Sequence, residues 1–215
     1  MVTEEYLKYW ESLYGKNDFF GTGPTKLAIY ANNIIKEQKI QKMLEIGCGQ
    51  GRDIIYFASK GYNVNGFDLS HNAIAFVEEQ KKELELENIK LMTHDTSKAF
   101  SYDTNQFDFV YSNLALQFFD LSTMNNIIKE ISRVMKNGAS FIFSTKKEGD
   151  KYYKTGKKIN ENAYQTKGVI RYFFNKESIM ELLKKEFNII EMIEDKHTNL
   201  DSSVSVWWKI HAIKK

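Results

Sequence analysis

The stretch Leu44-Glu45-Ile46-Gly47-Cys48-Gly49-Gln50-Gly51-Arg52-Asp53 carries the most legible chemistry in this 215-residue chain. An apolar run (Met43, Leu44, Ile46) ends in three glycines at alternate positions, and helix-like periodicity begins at Ile54. The order reads as a buried strand, a tight turn and a helix start. A glycine turn lets a ligand approach backbone that any side chain would block. The free N–H groups at a helix N-terminus favour an anionic or polar ligand group. Glu45 adds an acid on the strand itself. Two more acids, Asp68 and Asp95, end later strand-like runs. A carboxylate there can accept two hydroxyl donors at once, or act as an ordinary turn or capping aspartate.

Spacing narrows the ligand. A dinucleotide-binding turn wants G-x-G-x-x-G. Counted from Gly47, its third glycine would fall where Arg52 stands. The G-x-x-x-x-G-K-[ST] of a phosphate-binding loop is absent. Cys48 is the one cysteine, which excludes an intramolecular disulfide and suggests an intracellular, cytoplasmic protein. Inside the turn it reads as a small buried filler rather than a nucleophile. His197 and His211 are isolated, and no metal-ligand spacing occurs, so no metal is expected.

These residues need a frame. The apolar runs Lys42–Ile46, Asn63–Phe67, Ile89–Thr93, Phe107–Ser112 and Ala139–Ser144 read as strands. Helical stretches precede and separate them, at about Thr25–Glu37, Arg52–Lys60, Ser70–Glu87 and Ser122–Met135. The last carries Met124, Ile127, Ile128, Ile131, Val134 and Met135, the stripe of a helix packed on a sheet. Such alternation predicts a parallel sheet covered on both faces. Ligands in these sheets bind beyond the carboxyl ends of the strands. The glycine turn, Asp68, Asp95 and Ser112-Asn113 all fall there. Residues 146–171 read as polar, tyrosine-bearing and irregular. A helix at about Lys176–Glu186 and strand-like runs Phe187–Ile193 and Val204–Ile213 follow. The linker between those runs is too short for a helical crossover, so they should pair antiparallel.

Composition agrees with one domain: 42% hydrophobic and 14% aromatic residues can build a sizeable core. With 30 basic against 28 acidic residues, the net charge of +2 gives no clear nucleic-acid signal. No apolar run approaches the ~18 residues of a membrane span, and the first residues lack an apolar signal region. Neither a repeat nor a low-complexity tract is present.

The order of an acid, Gly47-x-Gly49-x-Gly51, Asp68, Asp95 and a closing antiparallel pair resembles class I S-adenosylmethionine (SAM) dependent methyltransferases over almost the whole chain. The resemblance implies an α/β fold: a seven-stranded, mostly parallel Rossmann-like sheet with helices on both faces and an antiparallel C-terminal strand. It implies a single domain over 1–215. The parts would be an N-terminal lid or helical segment (1–37), a SAM-binding core (42–144), a substrate-shaping insertion (145–175) and a C-terminal helix with its strand pair (176–215). By the same resemblance, Glu45, Gly47, Cys48, Gly49, Gly51 and Arg52 approach the methionine part of SAM. Asp68 binds the ribose hydroxyls, Asp95 the adenine amino group, Leu69 and Thr96 flank the adenine, and Ser112 and Asn113 add contacts.

The opening Tyr9-Trp10-Glu11-Ser12-Leu13-Tyr14 and Phe19-Phe20-Gly21-Thr22-Gly23-Pro24 is similar to that of small-molecule members of the tellurite-resistance and thiopurine type. Trp10 and Tyr14 would then lie near the sulfonium, which is attracted to aromatic faces, and Phe20 near the acceptor. The alternative is that these aromatics pin a terminal helix to the core. Gln117, Tyr164, Arg171 and Tyr172 are candidates to line an acceptor site, against the alternative of an exposed tyrosine-rich loop. Many small-molecule members have a histidine pair where Gln117 and Phe118 stand, so a candidate base is missing and no catalytic residue is assigned. The [N/D/S]-Pro-Pro-[Tyr/Phe] and Pro-Cys motifs of enzymes acting on macromolecular bases are also absent. The implied reaction is in-line transfer of a methyl group from SAM, leaving S-adenosylhomocysteine (SAH), to an O, N, S or chalcogen nucleophile of a small-molecule acceptor. The rivals are a non-catalytic SAM-binding sensor and a nicotinamide-dependent oxidoreductase. The latter would want a glycine at 52 and a parallel second half.

Overall fold

The structure is a computed structural model and describes residues 4–15 and 21–215. Phe20, with its expected place near the acceptor, lies outside the described residues. The chain runs α1 (Glu4–Tyr14), α2 (Lys26–Ile35), β1 (Lys42–Ile46), α3 (Arg52–Ser59), β2 (Asn63–Asp68), α4 (His71–Glu83), β3 (Ile89–Thr93) and β4 (Phe107–Asn113). Then come a 3-10 turn (Leu116–Phe118), α5 (Leu121–Val134), β5 (Met135–Lys146), β6 (Lys157–Asn160), β7 (Ala163–Thr166), β8 (Val169–Tyr172), α6 (Lys176–Leu183), β9 (Phe187–Thr198) and β10 (Val204–Lys214).

Seven strands form one sheet in the order β3-β2-β1-β4-β5-β10-β9. β1 pairs parallel with β2 and β4, β2 with β3, and β4 with β5. β10 runs antiparallel to both β5 and β9. The sheet is the expected α/β fold, with β10 as its one reversed strand. Helix starts are fixed by side-chain caps: Thr25 accepts from the Ala28 N–H, Ser70 from Ala73, Asp120 from Thr123 and Asn175 from Ser178. Each face of the sheet buries its own apolar layer. One layer takes Met124, Ile127, Ile128 and Ile131 of α5 and Ile179 and Leu182 of α6. The other takes Leu27 of α2, Ile54 and Phe57 of α3 and Val77 of α4.

Two readings change. Residues 146–171 are not irregular: β6, β7 and β8 form a separate three-stranded antiparallel sheet. β6 is exposed along its whole length, so it has no apolar alternation to read. The β7–β8 hairpin turns on Lys167 and Gly168, both at positive φ (52° and 80°), the geometry of the tightest hairpin loops. Strand β5 also starts earlier than expected, at Met135. The register to β4 shifts between Phe107 and Phe109, which absorbs the turn at Lys136–Gly138. Among the described residues, no helix is long and apolar enough to cross a membrane, and no group of acids, histidines and cysteine is placed to hold a metal ion.

Candidate active site

The three glycines of the β1–α3 turn all adopt positive φ: 69° at Gly47, 52° at Gly49 and 84° at Gly51. Their reasons differ. A Cβ on Gly47 would lie 2.4 Å from the Ala115 Cβ, and one on Gly51 2.8 Å from a methyl of Val77. Those two are required by the chain's own packing. A Cβ on Gly49 would meet only Tyr14, its hydroxyl at 3.0 Å. Gly49 is therefore the glycine whose backbone faces α1 and not the packed core.

Asp68, at the end of β2, is buried and faces this turn. One of its oxygens accepts the Gly49 N–H at 2.9 Å and the other the Ser70 N–H at 3.0 Å. Burial raises its pKa, and hydrogen bonds from Ser70, Gly49 and Leu69 only partly offset that. Glu45 is 3% exposed, and its Oε2 has no hydrogen-bond partner. Burial, and then the charges of Asp53 and Asp68, push its carboxyl well above the usual range. Cys48 is buried within the turn, and its thiol is likewise pushed up by burial.

Helix α1 covers the turn, although none of its residues is fully buried. Glu11 docks it: Oε2 accepts the Ser70 hydroxyl at 2.7 Å and the Asn72 N–H at 3.0 Å, and Oε1 the His71 N–H at 2.8 Å. A carboxylate at the N-terminus of α4 also complements the helix dipole. Tyr14 stacks on Trp10 (5.6 Å between ring centroids), and Trp10 meets the edge of Phe118 at 5.0 Å. The aromatic residues of α1 thus span from Gly49 to the turn after β4.

The remaining candidates divide. Asp95 is half-buried, with Oδ1 accepting both the Ser97 N–H (2.9 Å) and the Ser97 hydroxyl (2.7 Å); Thr96 beside it is buried. Leu69 is half-buried after Asp68. The Ser112 hydroxyl donates to the Ile46 carbonyl at 3.0 Å, so that side chain ties β4 to β1. Asn113 Oδ1 accepts the Ser144 hydroxyl at 2.6 Å. The next residue, Leu114, holds a positive φ of 51°, a conformation costly for a branched side chain. Gln117 is 5% exposed, and its Oε1 lacks a partner. Arg52 donates to the Gly23 carbonyl at 2.8 Å. Tyr164 packs on Tyr153 and Phe173 within the small sheet. Tyr172 neighbours Arg171 on β8 but points the opposite way and packs on the core layer of α5.

Sequence reasoning missed Glu11, and it gave Asp53 no part in tying elements together. The Asp53 carboxylate accepts the Thr25 N–H, the Thr25 hydroxyl and the Tyr111 hydroxyl, each at 2.7 Å, and so binds the chain before α2 to α3 and β4. An acid in the first turn of a helix is a visible signal for such a role. A single glutamate on an exposed helix gives none.

Comparison with known proteins places this arrangement. Residues 44–143 match the family described as methyltransferase domain. The chain is 31% identical over 118 residues to the probable S-adenosyl-L-methionine-dependent methyltransferase TehB of Haemophilus influenzae, covering 54% of this chain and 40% of that protein. The chain thus spans about two-fifths of the length of the curated relatives it matches. Among solved structures, a SAM-dependent methyltransferase of Methanosarcina mazei shares the fold with a TM-score of 0.74 at 24% identity, over 86% of this chain and 96% of the other. The 1,6-didemethyltoxoflavin-N1-methyltransferase of Burkholderia thailandensis, solved with its acceptor and S-adenosylhomocysteine, does so with a TM-score of 0.75 at 16% identity, over 98% and 88%. Residues 44–143 of the chain are thus similar to a methyltransferase domain, and the chain shares the fold of SAM-dependent methyltransferases.

Proposed function

We propose that the protein transfers a methyl group from SAM to a small-molecule acceptor. The observation that carries this reading is the turn at Gly49, whose backbone faces the Tyr14 hydroxyl of α1 instead of packed core, beside the two-oxygen acceptor Asp68 and the unpartnered buried Oε2 of Glu45. The residues fit a ligand with hydroxyl donors and a cationic group. Glu45 and the turn at Gly47–Arg52, including Cys48, would hold the methionine part, Asp68 the ribose hydroxyls, and Leu69, Asp95 and Thr96 the adenine. Asn113 and the backbone at Ser112 would close the far side. Trp10 and Tyr14 would cover the cofactor, with Gln117, Arg171 and Tyr164 on the acceptor side.

When bound, SAM supplies an activated methyl group on a sulfonium. A lone pair of the acceptor forms the bond to the methyl carbon as the sulfur–carbon bond breaks, and the electron pair stays on sulfur in SAH. An acceptor that attacks through O–H or N–H releases its proton to water. The chain's own contribution is then alignment and exclusion of water, an effect worth up to ~7–11 kcal/mol. The reading takes residues 1–215 as a single methyltransferase domain in the cytoplasm. Calorimetric titration with SAM, SAH and NAD, followed by labelled methyl transfer to thiols, amines, phenols and oxyanions, tests it. Binding of SAM and turnover on one acceptor class are expected; stabilisation by NAD alone would overturn it, and SAM binding without turnover on any class would make the protein a sensor.

A further inference from the structure

We propose that the acceptor is a small organic acid whose carboxylate is held by Arg171. The inference rests on the methyltransferase reading and assigns the substrate class of that site. Arg171 stands on β8, which packs against the 3-10 turn after β4. Its guanidinium lies 4.6 Å from the Tyr152 ring centroid and 5.9 Å from that of Phe118, and one nitrogen donates to the Thr166 hydroxyl at 2.9 Å. Among the described residues, no carboxylate pairs with it. The other half-buried arginine with a strong network, Arg133, pairs with Glu130 at 2.8 Å, and the buried Lys146 nearby pairs with Asp150 at 2.6 Å. Arg171 therefore keeps an uncompensated charge and most of its five N–H donors. Its planar fork matches a carboxylate in two parallel hydrogen bonds.

A second observation points to a ligand. Gln117, next to Phe118 in the turn that β8 packs on, buries its Oε1 without a partner. An unmet buried acceptor is costly, and a hydroxyl or amine on the acceptor molecule would satisfy it. The cluster also joins the cofactor side. Phe118 touches Trp10 and Tyr6 of α1. On the other side, Tyr152 and Thr166, the groups that hold Arg171, also line an open surface cavity, one that Arg171 and Gln117 do not line.

The test is calorimetric titration of SAH-loaded protein with benzoate, phenylacetate, 3-phenylpropionate and hexanoate, each beside its neutral amide, and with phenyl phosphate. At least one acid should bind tenfold or more tightly than its amide. Arg171→Gln should abolish that preference while SAH affinity and the folded spectrum stay unchanged, and Arg171→Lys should keep part of it. Equal binding of acid and amide, a preference that survives Arg171→Gln, no binding of any acid, or tighter binding of phenyl phosphate than of every acid overturns the proposal. Failure of SAH itself to bind would instead sink the methyltransferase reading.

Discussion

The carboxylate of Glu11 accepts the Ser70 hydroxyl at 2.7 Å across 59 residues of chain, and with it the first N–H groups of α4. One side chain thereby fixes α1 to the strand–helix junction that carries Asp68. Burial pushes the Glu11 carboxyl up, but the Asn72 and His71 N–H groups and the Ser70 hydroxyl outweigh it and hold its pKa below the ordinary 4.5. A carboxyl depressed on docking stabilises the docked helix fully above that value, and the contribution fades as pH falls below it. Hydrogen exchange over residues 4–14 should be slow at pH 7 and quicken below pH 4.5, beyond the intrinsic pH effect. Glu11→Gln should show fast exchange at both, with little change in global melting temperature.

The glycines should separate by their neighbours. Gly47→Ala drives a Cβ to 2.4 Å from Ala115 at a positive φ, costing about 2–5 kcal/mol from overpacking and left-handed backbone together. Ala115→Gly in the same chain should recover the overpacking part. Gly49→Ala meets only Tyr14 and should cost about 1–2 kcal/mol, yet weaken SAH binding at least tenfold. Denaturant melts and calorimetry on the four chains check this; equal stability loss at both glycines would refute it.

Asp68 has two duties, which a substitution should reveal. It holds Gly49 and Ser70 through separate oxygens. Asp68→Asn replaces one acceptor oxygen by a donor and should cost about 1.5–3 kcal/mol of stability with the fold retained. SAH affinity should drop by tenfold or more. Affinity within twofold of the parent would mean that the ribose lies elsewhere.

Glu45 should behave in the opposite sense in the ligand-free protein. Burial raises its pKa well above 4.5, so its contribution to stability is present below that value and is lost as pH rises through the folded pKa. Glu45→Gln should remove this slope and leave the ligand-free melting temperature equal or higher. If a cationic group of the cofactor meets the carboxylate, SAH binding at a pH below the raised Glu45 pKa releases a proton in the parent and none in the variant. Titrations in buffers of different ionisation enthalpy read that difference directly.

Much of the frame was readable because its signals are local. β1 and β3 have the bounds that their apolar runs predict, and α4 begins just after Ser70, where its helical stretch was expected to start. The small sheet was not readable because its stabilising contacts are made elsewhere. β6 buries nothing, while Tyr164 and Phe173 pack on Tyr153 from an adjoining loop. Only Lys167-Gly168 marked a hairpin. In the candidate site, the glycine pattern was visible, but its division into two packing glycines and one open one depends on Ala115, Val77 and Tyr14. Those neighbours are brought there by the fold and have no spacing relative to the motif. Glu11 is illegible for the same reason: its partners at 70–72 are defined only once α1 lies across α4.

The reversed strand β10 sits between β5 and β9, pairing with β9 along its whole length and with β5 from Trp207 to Ile213. It is the last of the described strands to be synthesised, so the β5 edge stays bare while everything before residue 204 is made. An open edge of buried strand is a template for pairing with other chains. Assembly of this sheet is therefore a closing step rather than a progressive one, and the nascent chain is most exposed to self-association just before it can fold.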